Sequence, residues 1–145
     1  MFRTLLLIAL VAALIPAASA AERLPGPIPA SVLRVVDGDT VEVTAQIWLG
    51  QQVKVAVRLA GIDTPELRGA CVREQQLAQE ARALLRREAS DAAVTLYDVQ
   101  TDKYGGRVRA EVRDAQGVSL ADHLIAAGLA RPYDGGRRAP WCNAR

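Results

Sequence analysis

The order of β-forming and helical segments most constrains how this chain can fold. Five segments are rich in β-forming residues, and most of them alternate apolar and polar side chains as half-buried strands do: residues 31–36, 40–48, 53–59, 93–99 and 107–113. Residues 71–88 carry apolar side chains at helical spacing, and a shorter helix is predicted after Ser119, ending before Gly128. The order β-β-β-α-β-β-α predicts an OB-fold five-stranded β-barrel with helices, of the α+β class. A ferredoxin-like sandwich is the alternative, but it would need a helix after the first strand.

The first twenty residues have the composition of a secretory signal peptide. Arg3 precedes the apolar run of residues 5–16, and Ala18-Ser19-Ala20 fits a cleavage site after Ala20. An uncleaved anchor is the alternative, but the apolar run is short for a membrane span. We therefore expect an exported protein, periplasmic or extracellular, without stable membrane association.

The remaining chain is long enough for one domain. Residues 21–30 contain three prolines and predict an extended lead-in, residues 31–134 a single domain, and residues 135–145 a tail. The net charge is +2 and falls to +1 without Arg3. Because strong polyanion binders usually carry a basic excess, any affinity for nucleic acid must come from a local site. We expect a monomer.

Cys71 and Cys142 are the only cysteines. In an exported chain two cysteines favour a disulfide bond, which would tether the tail through Cys142 to the start of the long helix. The alternative is a catalytic or metal-binding thiol. That reading lacks a partner, since His123 is the only histidine.

Two turn segments bring carboxylates together: Asp37-Gly38-Asp39 and Asp63-Thr64-Pro65-Glu66. Either one alone is more often a structural turn, because Asp, Gly and Pro all favour bends. Together they offer carboxylates and main-chain carbonyls, with no thiolate or imidazole. That inventory favours Ca²⁺ or Mg²⁺ over zinc or copper.

Four further side chains suit an anionic substrate. Arg58 lies opposite the apolar face of its strand, and Arg107 begins the fifth strand after a loop containing Lys103 and Tyr104. A guanidinium can bind two phosphate oxygens at once, whereas the alternative is a solvated arginine paired with a neighbouring carboxylate such as Glu42. For Lys103 and Tyr104 the alternative is a polar turn with an exposed aromatic ring.

These motifs, in this order, resemble those of the staphylococcal nuclease (thermonuclease) family. The resemblance extends from Ser31 to about Tyr133 and rests on three segments: residues 35–41, residues 58–66 and residues 101–105. It implies an OB-fold and calcium-dependent hydrolysis of phosphodiester bonds in DNA and RNA, leaving 3′-phosphate ends. The alternatives are an OB-fold domain that binds nucleic acid without cutting it, and a structural calcium-binding module.

The resemblance also implies roles for individual residues. Asp39 and Asp63 would bind Ca²⁺ through their carboxylates and Thr64 through its carbonyl, while Asp37 would order the water around the ion. Glu66 would act as the general base on the attacking water.

Three positively charged residues and Tyr104 carry the remaining roles that the resemblance implies. Arg58 and Arg107 would bind the reacting phosphate, and Lys103 and Tyr104 would hold a neighbouring phosphate.

Three departures from the family pattern affect these assignments. Gly106 is an extra residue, so Arg109 competes with Arg107 as the second phosphate-binding arginine. The alignment at Tyr133 is ambiguous by one residue, so its contact with a nucleotide stays open. The tail that ends in Pro140-Trp141-Cys142 would replace a C-terminal helix of the family.

Overall fold

The computed structural model describes residues 22–142, so the predicted signal peptide lies outside the described residues. The described residues form eight strands: β1 (Arg23–Leu24), β2 (Ile28–Val35), β3 (Thr40–Trp48), β4 (Gln51–Leu59), β5 (Ile62–Asp63), β6 (Ala93–Thr101), β7 (Arg107–Arg113) and β8 (Arg131–Pro132). The same part of the chain forms two helices: α1 (Val72–Ala89) and α2 (Leu120–Ala126).

Five of the strands close into a mixed barrel. Strand β2 pairs with β3, β3 with β4, and all these pairs are antiparallel. Strand β7 runs parallel to β4 and antiparallel to β6, and β6 pairs with β2, which closes the circle. The predicted β-barrel of the OB-fold, with one helix between the third and fourth barrel strands, is confirmed.

The extended lead-in predicted over residues 21–30 also contributes to the sheet, at Arg23–Leu24 and from Ile28 onward, which the prediction missed. The first barrel strand begins at Ile28, not at residue 31, and residues 28–31 pair with residues 93–96. The prolines in this segment argue against a strand in the sequence pattern, which is why its start was predicted too late. Pro29 has no N–H to give, but its side chain is exposed while Ala30 is buried, so the segment still alternates like a strand.

A second, two-stranded sheet was also missed. Strands β5 and β8 pair antiparallel, with Ile62 opposite Pro132 and Asp63 opposite Arg131. Sequence patterns predict only a loop after residue 62, because two-residue strands are too short to show any alternation. This small sheet joins the loop after β4 to the C-terminal segment.

The core fills the barrel and its contact with the helices. Val41, Val43 and Val57 are fully buried in the barrel, and Leu85 of α1 is fully buried with them in one apolar cluster. Helix α1 packs on β2 and α2. In α2 the Ser119 side chain accepts a hydrogen bond from the Ala121 N–H, as expected of the predicted helix N-cap.

The predicted bridge between Cys71 and Cys142 is present. Cys71 directly precedes α1, so the bond joins the start of that helix to the end of the described chain across a sequence separation of 71 residues. Within residues 22–142, no helix is long and apolar enough to cross a membrane.

We expect the bridge to contribute strongly to stability. A closed loop of this length removes unfolded-state entropy worth about 4 kcal/mol. A reductant should therefore lower the melting temperature, measured by calorimetry, by well over the effect of a single surface substitution. The Cys71→Ala/Cys142→Ala variant is the control and should melt at the same lower temperature with or without reductant. A reductant effect that persists in this variant would contradict the assignment.

Candidate active site

A polar pocket of about 470 Å³ opens beside the barrel. Its walls come from the turn before β3, from β4, from the loop after β5, from the loop between β6 and β7, and from the C-terminal segment. The lining residues are Asp37, Asp39, Arg58, Thr64, Pro65, Glu66, Leu67, Arg68, Asp102, Lys103, Tyr104, Arg107, Tyr133 and Arg138. Nearly every site residue predicted from sequence is among them, although these residues are distant in the chain.

The turn that carries Asp37 and Asp39 is pressed against helix α1. A Cβ atom on Gly38 would lie 2.9 Å from the Ala81 Cβ, closer than two such carbons approach. Glycine in the turn and alanine on the helix therefore permit this packing. The Asp39 N–H donates to Asp37 Oδ1 at 3.2 Å, which holds the two acidic residues side by side.

The proximity of the two carboxylates affects their ionisation. Burial, followed by the negative charge of Asp39, raises the pKa of Asp37 to about 6. Asp39 has compensating partners, since its Oδ1 accepts from the Thr40 hydroxyl at 2.8 Å and its Oδ2 lies 3.2 Å from an Arg58 Nη2. The pair thus forms an electronegative corner of the pocket that favours a bound cation.

Both predicted phosphate-binding arginines reach the pocket, and each is oriented by an aspartate. Arg58 is held by Asp39, not by Glu42, which instead pairs with Arg34 and Lys54. Arg107 Nε donates to Asp102 Oδ2 at 2.5 Å. A carboxylate that engages one edge of a guanidinium fixes the direction in which the other edge points.

Asp102 orients the β6–β7 loop as well as Arg107. Burial acts to raise the pKa of Asp102. Hydrogen bonds from Arg107 and from the Lys103 main chain nevertheless hold that pKa below its ordinary value. The Tyr104 ring is exposed and contacts two cations, with Lys103 Nζ 5.1 Å and Arg107 Cζ 4.8 Å from its centre. The loop therefore presents an aromatic ring between two positive charges.

The extra Gly106 does not displace Arg107 from the site. Arg109 lies two residues further along β7, donates to Gln100 Oε1 at 3.1 Å, and lines a neighbouring pocket instead. Tyr133 lines both pockets, and its hydroxyl donates to the Gly136 carbonyl at 2.6 Å.

Asp63 is almost completely buried, and its carboxylate binds three side chains of the C-terminal segment. Oδ2 accepts from Arg131 Nη2 at 3.2 Å and from Trp141 Nε1 at 3.1 Å. Oδ1 accepts from Arg138 Nε at 2.5 Å. Arg131 also stacks on the Trp141 ring, 3.7 Å from its centre. Sequence analysis assigned no role to Arg131, Arg138 or Trp141.

The Arg138 guanidinium bridges three of the groups predicted to act in the site. Besides Asp63, it donates through Nη2 to the Thr64 carbonyl at 3.0 Å and through Nη1 to Glu66 Oε1. Its side chain remains 40% exposed and lines the pocket. No sequence signal could separate Arg138 from its neighbour Arg137.

The loop that carries Glu66 is fixed by Glu74 of helix α1. Glu74 is buried, and its carboxylate accepts from the Glu66 N–H at 3.2 Å and from the Ala70 N–H at 3.0 Å. A Cβ on Gly69 would meet the Glu74 side chain at 2.4 Å, so glycine is needed where the loop passes over it. A glutamate in the first helical turn after Cys71 was the only sequence signal for this role.

The oxygen atoms of the site can be compared with the ligands that a hard cation such as Ca²⁺ prefers. The Asp39 and Asp63 carboxylates and the Thr64 carbonyl are the oxygen ligands that Ca²⁺ prefers. However, Asp63 Oδ1 and the Thr64 carbonyl both accept hydrogen bonds from Arg138. Residues 22–142 contain no cluster of three or more Asp, Glu, His or Cys side chains arranged to hold a metal ion. The ligand chemistry fits a divalent cation, which would compete with Arg138 for two of these oxygens.

Comparison with known protein families supports the same interpretation of the fold. A family model described as a staphylococcal nuclease homologue matches residues 56–140, more than half of the chain. The chain therefore belongs to the staphylococcal nuclease family, whose members are generally metal-dependent nucleases. The matched region includes Arg58 and Arg138, while Asp37 and Asp39 lie before it.

Two curated relatives come from Escherichia coli and Escherichia coli O157:H7, and both are named "Uncharacterized endonuclease". Each is 29% identical to this chain over 103 residues, which is 71% of this chain and 60% of the relative. The chain thus spans less than two thirds of the length of these relatives.

We expect Glu74→Ala to destabilise the fold. The change leaves two partly buried N–H groups without their acceptor, which costs about 1–3 kcal/mol. Chemical denaturation should show this loss, whereas Glu80→Ala, on the exposed face of the same helix, should change the free energy of unfolding by at most about 0.5 kcal/mol. Equal effects of the two substitutions would show that Glu74 does not hold the loop.

Proposed function

We propose that this protein is an exported nuclease that hydrolyses phosphodiester bonds in DNA and RNA, depends on Ca²⁺ and leaves 3′-phosphate ends. The observation that carries the proposal is the composition of one pocket. Two oriented arginines, a carboxylate pair, the Thr64–Glu66 loop and the Lys103-Tyr104 loop all face it. Membership of the family and the names of the relatives support hydrolysis as the reaction.

The arginines would bind the reacting phosphate from two sides. Arg58 and Arg107 each keep one edge on an aspartate, so their positions are set before the substrate arrives. Charge develops on the phosphate oxygens as the reaction proceeds, and preoriented donors stabilise that charge without having to reorganise. This contribution can amount to several kcal/mol of the barrier.

Glu66 would accept a proton from the attacking water. It lies in a loop fixed by Glu74, and its own side chain is 58% exposed in the pocket mouth, where water can reach it. A general base typically contributes about 10²- to 10⁴-fold. Asp39, Asp63 and the Thr64 carbonyl would hold Ca²⁺, and Asp37 would orient water beside it. A bound divalent cation supplies Lewis acidity and neutralises phosphate charge.

Lys103 and Tyr104 would hold the next phosphate along the strand. Their loop extends from the same wall of the pocket as Arg107, so one nucleotide could span both contacts. The mature chain is nearly neutral, which favours single strands and frayed ends over tight binding of a duplex. The disulfide bond supports export, because such bonds persist in oxidising compartments.

A binding domain without catalysis is the alternative function. It would use the same arginines and the same loop, but it would not need a carboxylate such as Glu66 at the mouth of the pocket. The fixed position of the Glu66 main chain therefore favours catalysis.

We expect purified protein to cut plasmid DNA and RNA with Ca²⁺ and to stop cutting with a chelator. Glu66→Gln should lower the rate at least about 10²-fold because it removes the basic oxygen. Affinity for a nucleotide inhibitor, measured by calorimetry, should change little. A loss of affinity as large as the loss of rate would mean that Glu66 binds the substrate or supports the loop. End-labelling of the products would test for 3′-phosphates.

We expect Arg107, not Arg109, to be the second phosphate-binding arginine. Arg107→Lys keeps the charge but loses the planar pair of donors, and should cost about 2–4 kcal/mol of transition-state stabilisation. Arg109→Lys is the matched control on the same strand and should leave kcat/KM nearly unchanged. The reverse pattern would assign the role to Arg109.

A further inference from the structure

The Arg138 guanidinium donates hydrogen bonds to three groups that the proposed reaction needs. Arg138 engages Asp63 and the Thr64 carbonyl, two of the proposed Ca²⁺ ligands, and also Glu66, the proposed base. Each of these oxygens already accepts a charge-assisted hydrogen bond, so a divalent cation would compete with the Arg138 guanidinium for them. In this arrangement a positively charged side chain of the same protein lies on the oxygens that the proposed cation would use.

The two oxygens of Asp63 have different partners. Oδ2 is held by Arg131 and Trp141, which fixes the carboxylate whether or not Arg138 is present. Oδ1 accepts from Arg138, which lines the pocket. Departure of Arg138 would thus leave Asp63 oriented and paired on one side, with the other oxygen available to a metal ion. Outer contacts of this kind orient ligands in known metal sites.

We propose that Arg138 is an autoinhibitory plug that competes with the divalent cation for Asp63 and Thr64. This inference rests on the proposed calcium-dependent function and adds a means of regulating it. Binding of the cation displaces the Arg138 guanidinium into solvent, which also frees Glu66. The site then becomes active only when the cation concentration is high enough to win this competition.

The disulfide bond restrains the segment that carries Arg138 from its C-terminal side, while β8 restrains it from the other. Cys142 follows Arg138 by four residues and is bonded to Cys71, beside the loop that carries Glu66. A group on so short a tether has an effective concentration in the millimolar range or above. The plug is only half-buried, however, and ion pairs of such exposure are of modest strength. A doubly charged ion on the same oxygens has the stronger Coulomb attraction, so displacement is feasible.

The test is the affinity for Ca²⁺ itself, measured by isothermal titration calorimetry without substrate. Arg138→Gln removes the plug, and we expect Ca²⁺ to bind about tenfold more tightly than in the wild type. Arg137→Gln is the matched control, because it removes the same charge from the adjacent position; its dissociation constant should stay within about twofold of the wild type. Arg138→Lys keeps the charge but cannot bridge three acceptors. It should bind Ca²⁺ with intermediate affinity.

The possible results separate this inference from the proposed function. Equal Ca²⁺ affinities of the Arg138→Gln and Arg137→Gln variants would overturn the plug and leave the calcium site intact. Weaker binding in Arg138→Gln would show instead that Arg138 supports the site, which also overturns the plug. An absence of Ca²⁺ binding in all variants would overturn both the calcium site and the plug.

Removal of the Cys71–Cys142 disulfide bond allows a second measurement of Ca²⁺ affinity. The Cys71→Ala/Cys142→Ala variant should also bind Ca²⁺ more tightly than the wild type, because its plug is then restrained from one side only. Adding Arg138→Gln to this variant should give much less than a further tenfold gain, since both changes act on one competition. Full additivity of the two effects would show that the bridge does not act through Arg138, and would overturn the tether.

Discussion

The burial of the Asp63 carboxylate is the constraint on which the rest of the site depends. A buried carboxylate is stable only with compensating partners, and an unpaired one costs several kcal/mol. Here the partners come from the C-terminal segment: Arg131 on β8 and Arg138 and Trp141 beyond it. Asp63 therefore organises the chain between residue 131 and the disulfide bond.

The same interaction connects the small sheet to the barrel. Asp63 and Arg131 are opposite one another in β5 and β8, so their ion pair also fixes the register of that sheet. Glu74 fixes the other end of the loop by accepting from the Glu66 and Ala70 main chain. With both ends fixed, Thr64 and Glu66 have little freedom. A rigid loop of this kind can present a carbonyl and a carboxylate in defined positions, which suits both a metal ion and a competing guanidinium.

On the positively charged wall of the pocket, Arg58 and Arg107 are each oriented by an aspartate. Asp39 holds Arg58 and Asp102 holds Arg107. These pairs place acidic and basic groups in alternation around the pocket, so the site stays close to neutral overall while offering both kinds of contact. A chain with a net charge of only +2 can in this way concentrate positively charged groups in one pocket.

The sequence by itself determined the order of strands and helices from which the barrel is predicted, because strand alternation and helical spacing are local patterns that follow from which face of each segment is buried. It also determined which residue types the site would contain, since the motifs are contiguous in the chain. Only the tertiary structure decided how the C-terminal segment is used. Arg137 and Arg138 are equivalent by composition, and the pairing of Arg138 with Asp63 joins residues 75 positions apart. Such a contact depends on the closure of the barrel, the β5–β8 sheet and the Cys71–Cys142 bridge, none of which is a local property.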